Sequence, residues 1–80
     1  MSRRKKRTHD GEVFGSLIRA LRAERGLTQE VLAERTELSV SYIGFIERGE
    51  NVPTLTILLN LAEALNVDPA ELIREVARQR

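Results

Sequence analysis

The chain has 80 residues, of which 41% are hydrophobic and 31% charged, with no cysteine and a formal net charge of +1. That suffices for one domain with a small core, which association with a second copy would reinforce, and excludes two domains. The lack of cysteine excludes a disulfide framework and a thiolate metal site, and fits a reducing, cytoplasmic compartment.

Residues 1–11 show no apolar periodicity and end in Gly11, so they read as a flexible, solvated arm, with residues 12–80 as the folded domain. The arm is charged and lacks the apolar core of a secretory segment. It also conceals a charge split. Arg3, Arg4, Lys5, Lys6 and Arg7 lie together, whereas residues 12–80 hold eight Arg against eleven acids, a net charge of roughly −3. Attraction to phosphate must therefore come from the arm, or from local placement of Arg and helix N-termini.

From Glu12 an apolar pattern begins. Val13, Phe14, Leu17, Ile18 and Leu21 recur at three- and four-residue steps, predicting a helix to about Arg25 that Gly26 and Leu27 terminate. Thr28 caps a second helix, with Leu27 and Leu32 as its hydrophobic staple. Ser39 caps a third in the same way, with Leu38 and Ile43 as staple. Pro53 and Thr54 open a fourth helix, whose Leu55, Leu58, Leu61, Ala62 and Leu65 face inward and which Asn66 closes. The apolar stretch from Leu55 to Leu65 is broken by Asn60 and Glu63 and is too short to span a bilayer. Asp68 caps the fifth helix, with Pro69 in its first position, Glu71 completing a capping box, and Val67 and Leu72 as staple. No segment alternates with the period of a half-buried strand, so the fold class is all-α. The expected core is Val13, Leu17, Leu21, Leu32, Ala33, Ile43, Ile46, Leu58, Leu61 and Leu65.

Two short capped helices meeting at a tight turn over residues 27–53 have the geometry of a helix-turn-helix, which presents one helix to a major groove about 12 Å wide. In order and spacing, Ile18-Arg19-Ala20-Leu21-Arg22, Gly26-Leu27-Thr28-Gln29, Leu32-Ala33, Tyr42-Ile43, Ile46-Glu47-Arg48-Gly49, Pro53, and Leu61-Ala62 with Ala64-Leu65 stand together in this chain. Over about Phe14 to Ile73 the sequence resembles the Cro and phage-repressor type helix-turn-helix family, often called the Xre family. The resemblance implies a five-helix repressor-like DNA-binding domain in which the third helix is the recognition helix. It also implies a largely hidden ion pair between Arg22 and Glu47; the alternative is two ordinary surface charges.

Candidate DNA contacts follow from position. Thr28 and Gln29 lie beside the free amides and positive dipole end of the second helix, where a phosphate oxygen fits. Thr28 is a cap in any case, and Gln29 matches the family's phosphate-contacting Gln. On the third helix, Ile43 and Ile46 point inward. Ser39, Val40, Ser41, Tyr42, Gly44, Phe45 and Arg48 are left for the groove or its walls, with Asn51 in the following loop. Val40 can touch a thymine methyl, Ser41 a base edge or phosphate, and Tyr42 a phosphate or base face. Partial burial is the other reading for Tyr42 and Phe45. None of these makes a bidentate Arg–guanine or Gln–adenine contact, and Arg48, at the far end of the helix, reads as a phosphate contact. Readout by DNA shape then carries more of the selectivity. Glu37 stands in the turn where the family usually has Gly, which implies either a strained left-handed residue or a different turn.

Two half-sites about 34 Å apart favour a homodimer on a palindromic duplex. Leu72, Ile73 and Val76 form an apolar edge on the last helix, and the resemblance places pairing there; intrachain packing is the competing reading. The only histidine, His9, lies in the arm, and no metal set, cofactor motif or paired carboxylates in a cleft appear, so an enzyme is not expected. A repressor or restriction-modification controller is the leading reading. The alternatives are an antitoxin that represses its own operon beside a toxin partner, or a protein-interaction adaptor on the same fold, acting for example on transcription machinery.

Overall fold

Every helix among the described residues starts at a side chain that takes up an otherwise unpaired amide. In the computed structural model, which describes residues 8–80, the elements are α1 (His9–Glu24), α2 (Gln29–Thr36), α3 (Val40–Glu47), α4 (Leu55–Ala64) and α5 (Pro69–Arg78). Thr8 accepts from Gly11 at 2.9 Å, Thr28 from Val31 at 3.1 Å, Ser39 from Tyr42 at 3.0 Å, Thr54 from Ile57 at 3.2 Å and Asp68 from Ala70 at 2.9 Å. Replacing such a cap by Ala costs about 1 kcal/mol, so the five caps fix the boundaries. The Glu71 carboxylate does not reach back to complete the expected capping box, because it pairs with Arg74 at 2.5 Å.

The first helix begins earlier than expected, at His9 rather than Glu12. Gly11 reads as the end of an arm, yet it is buried inside the first turn, where a Cβ would lie 3.2 Å from the Val52 side chain and 3.3 Å from the Gly49 carbonyl. Its small size serves close approach. Asp10 and Glu12 occupy the first turn, where the helix dipole favours acids. The rest of the expected arm, residues 1–7, lies outside the described residues.

Four helix ends share one closure. The amides of Leu27, Leu38, Glu50 and Val67 each bond back five residues, to the carbonyls of Arg22, Ala33, Phe45 and Ala62, at 2.9–3.0 Å. The residue before each is left-handed: Gly26 and Gly49 at φ 67 and 77°, Glu37 and Asn66 at φ 60 and 56°. This is the Schellman arrangement. The turn of the helix-turn-helix is therefore built in the ordinary way, and Glu37 bears the strain that a Gly would avoid.

The core gathers Phe14, Ile18, Leu32, Ala33, Ile43, Ile46, Leu61, Ala62, Leu65 and Leu72, all buried. On α1 the inward face is Gly11, Phe14, Gly15 and Ile18, while Val13, Leu17 and Leu21 are half-buried. The apolar positions alone pointed one residue off this face, because two of its members are glycines. On α4, Leu61 and Ala62 are buried, Leu58 is half-buried, and Leu55 is 66% exposed rather than inward. α3 packs on both α1 and α2, and α5 packs on α1 and α4. No strand occurs among the described residues.

Gly15 sets how closely α1 crosses α3. A Cβ there would stand 2.2 Å from the Ile46 carbonyl oxygen and 2.8 Å from that of Glu47. Backbone cannot retreat as a side-chain tip can, so Gly15→Ala should lower stability by about 3 kcal/mol in urea melts, the upper end for overpacking; an unchanged midpoint would show that the crossing tolerates a methyl. By contrast, Glu37→Gly should raise stability by about 1 kcal/mol by relieving the left-handed penalty. Equal or lower stability would mean that the Glu37 side chain contributes more than its strain costs.

Candidate nucleic-acid interface

The end of α3 is anchored by one buried carboxylate. Glu47, with 3% of its side chain exposed, accepts from Arg22 Nε at 2.6 Å and from Arg22 Nη2 at 3.1 Å, a two-point fork. Gln29 Nε2 donates to the same carboxylate at 2.9 Å, and Arg22 Nη1 donates to the Leu27 carbonyl at 2.9 Å. The Glu47 hydrogen bond raises the Arg22 pKa above its usual value, against the lowering effect of burial. These bonds join α1, the α1–α2 turn, the start of α2 and the end of α3. No buried side-chain nitrogen or oxygen is left without a partner among the described residues.

With Ile43, Ile46 and Glu47 turned inward, α3 presents Ser41, Phe45 and Arg48 on its opposite side. Ser41 and Val40 are exposed, Val40 by 39%, and Phe45 is half-buried. Ser39 is exposed and serves as the cap. Tyr42 is half-buried and packs against the core, while its hydroxyl donates to Asn51 Oδ1 at 3.0 Å. That bond ties α3 to the loop before α4, so neither residue is a loosely hung polar group. Thr28 is exposed at the start of α2. Gln29 is half-buried and has committed one of its two amide hydrogens to Glu47, which leaves the other to donate.

Gly44 does not face the groove openly, as its position on the helix suggested. It is buried, because the Arg48 side chain folds over it. Arg48 also places its guanidinium carbon 5.3 Å from the Phe45 ring centroid and donates from Nε to Glu50 at 3.0 Å.

A family model described as HTH_3, helix-turn-helix, matches residues 18–72. The chain belongs to this helix-turn-helix family. It is 41% identical over 63 residues to the uncharacterized HTH-type transcriptional regulator YazB of Bacillus subtilis, spanning 79% of this chain and 91% of YazB. It is 43% identical over 61 residues to the immunity repressor of Bacillus phage phi105, spanning 76% of this chain and 42% of the repressor. The crystal structure of the restriction-modification controller C.AhdI from Aeromonas hydrophila superposes with a TM-score of 0.78 at 43% identity, covering 81% of this chain and 98% of C.AhdI. The protein is thus a helix-turn-helix transcription regulator of the Xre type and not an enzyme. No helix among the described residues is long and apolar enough to cross a membrane.

In this helix-turn-helix protein the apolar edge expected on the last helix is only partly available. Leu72 is 2% exposed and belongs to the chain's own core, because α5 packs on α1 and α4. Ile73 is 51% exposed and Val76 is half-buried against the core; both line a groove of about 290 Å³ with Phe14, Val52, Pro53 and Leu58. Leu55 and Leu59 on α4 are also exposed, by 66 and 45%. The signal for them was present in α4, which carries more apolar positions than one core-facing stripe needs. Asp10 and Arg80 sit at the rim of the groove and pair at 2.5 Å. The Arg80 hydrogen bond holds the Asp10 pKa below the usual carboxylate value.

The Glu47 contacts yield a stability test. Glu47→Ala should cost about 3–5 kcal/mol in chemical denaturation, since Arg22 and Gln29 would keep donors facing an emptied, mostly dry position. A loss under about 1 kcal/mol would mean that the cluster behaves like an exposed surface pair.

Proposed function

We propose that this protein regulates transcription by binding a palindromic double-stranded DNA site as a homodimer, with α3 in the major groove of each half-site. The observation that carries the proposal is the two-sided character of α3. Its inner side is fixed by Ile43, Ile46 and the Glu47 cluster, and its outer side exposes Val40, Ser41 and Arg48. A helix held from behind and open in front suits docking into a groove.

Supporting contacts surround it. The N-terminus of α2 brings Thr28, Gln29 and the unpaired first amides of the helix to bear on phosphate, aided by the helix dipole. Val40 and Ser41 stand where a thymine methyl and a base edge can be met. Ser39, Tyr42 and Asn51 act chiefly by holding the start of α3 and the following loop in place. Arg3 to Arg7 supply phosphate attraction that the net-acidic domain lacks. A second copy of the chain covers the apolar surface around Ile73, Val76 and Leu55, which sets two α3 helices about one DNA turn apart. The phage immunity repressor and the restriction-modification controller among its relatives support a repressor, or a controller of such a system, as the leading reading.

Two measurements on the full chain check this. Selection from a random duplex pool should return a two-fold symmetric site, and sedimentation should give twice the chain mass of 9.1 kDa. Ile73→Glu should yield a folded monomer whose operator affinity falls at least tenfold, because one half-site must dock alone. A dimer that survives this change would place the interface elsewhere, and recovery of no duplex would overturn the DNA-binding role.

A further inference from the structure

We infer that the basic segment ahead of Thr8 enters the minor groove at the centre of the DNA site, between the two half-sites, and there selects a narrow, A·T-rich duplex. The inference rests on the dimer proposed above and adds a second place at which the protein reads DNA. It starts from where the segment joins the fold. Thr8, the cap of α1, stands beside the loop that follows α3. A Cβ on Gly11 would lie 3.1 Å from Thr8 Oγ1, 3.2 Å from the Val52 side chain and 3.3 Å from the Gly49 carbonyl oxygen. Gly49 directly follows Arg48, and a Cβ there would stand 2.9 Å from the Glu12 Cα.

The same turn of α1 is tied to the end of α5. His9 Nε2 lies 2.8 Å from the Gln79 carbonyl oxygen, to which its N–H donates. Arg80 donates to both oxygens of Asp10, from Nε at 3.2 Å and from Nη2 at 2.5 Å. Asp10 lines the same groove as Val52, Pro53, Ile73 and Val76. Thr8 therefore sits at a corner, with the groove that a second copy covers on one side and the end of α3 on the other.

Symmetry and reach place the segment from there. When the groove meets its copy across a two-fold axis, both corners lie near that axis. Two α3 helices in successive major grooves on one DNA face leave the intervening minor groove turned toward the protein, about 17 Å from the middle of each half-site. Residues 1–7 span roughly 25 Å when extended, enough to reach it. They carry Arg3, Arg4, Lys5, Lys6 and Arg7. The acids lining the two clefts beside Thr8 are Asp10, Glu12 and Glu75. Asp10 pairs with Arg80 and Glu75 with Arg78, which among the described residues leaves Glu12 to oppose five cations. The fold does not neutralise them. A narrow minor groove, as in A·T-rich DNA, has an enhanced negative potential, and Arg, more weakly hydrated than Lys, enters it at less cost. Selectivity at the centre thus comes from groove width.

The test uses the full chain and its selected palindromic duplex, with the base pairs between the half-sites made all A·T, all G·C or all inosine·C. Inosine lacks the 2-amino group of guanine, so its pair with C clears the minor groove while leaving the major-groove face that of G·C. Wild type should bind the A·T and inosine centres about fivefold or more tighter than the G·C centre. Replacing Arg3, Arg4, Lys5, Lys6 and Arg7 together by Gln should bring the three centres within about twofold while half-site preference and the dimer persist. Because the chain has no cysteine, Ser2→Cys supplies a single thiol for an iron-chelate cleavage probe, whose cuts should fall in the central minor groove. Equal wild-type affinity for the three centres would overturn the inference. So would a centre preference unchanged in the Gln variant, cuts at the outer flanks, or a Gln variant that weakens all three centres equally, the mark of cations following phosphate. A wild-type monomer, or a protein that binds no duplex, would sink the proposed function as well, whereas the preceding results sink the inference alone.

Discussion

One carboxylate, that of Glu47, holds α3 at its angle. α3 is only eight residues long, too short to be stable by itself, and its stability must come from what lies behind it. Ile43 and Ile46 supply apolar burial, which is strong but undirected. Direction comes from the Arg22 fork and from Gln29, which approach Glu47 from two other helices. A slipped or rotated α3 would leave this charge buried and unpaired, a cost of several kcal/mol. The Gly15 crossing adds a second restraint at the same end, since the α3 carbonyls of Ile46 and Glu47 touch α1 where no side chain intervenes.

The same organisation explains how a net-acidic domain can serve as a DNA-binding scaffold. Of the acids near α3, Glu47 is neutralised internally by Arg22, and Glu50 is engaged by Arg48. What α3 leaves exposed beside Arg48 is neutral, Val40 and Ser41, with the amide-rich start of α2 nearby. Global charge is a poor guide to such a surface, because phosphate is met by a few placed donors and helix ends. The domain thus favours fit over bulk attraction, and the cluster of cations ahead of Thr8 balances the formal charge of the chain.

Much of the fold was legible because helix boundaries are local chemistry. Thr28, Ser39, Thr54 and Asp68 announced their helices, and Gly26 and Asn66 their ends, since capping depends on neighbours within a few residues. The Arg22–Glu47 pair joins residues 25 apart, beyond the reach of any local rule; it came from family resemblance. What escaped was tertiary. Gly11 read as the end of an arm, but its meaning, like that of Gly15, lies in what stands opposite it across the helix crossing. Leu72 fits an exposed edge and a core staple equally well in sequence, and only packing against the rest of the bundle separates the two. Arg48 read as a helix-end cation because the sequence gives a Cα position and not the path of a long side chain back over Gly44.

The most direct test of this account separates the lock on α3 from mere stability. Replacing Arg22 and Glu47 together by Met removes the fork without stranding a charge, so the domain should still fold, with a melting temperature near that of wild type. Operator affinity measured on this folded double variant should nevertheless fall at least tenfold, because α3 has lost the bonds that fix its direction. Wild-type affinity in a folded double variant would contradict the account.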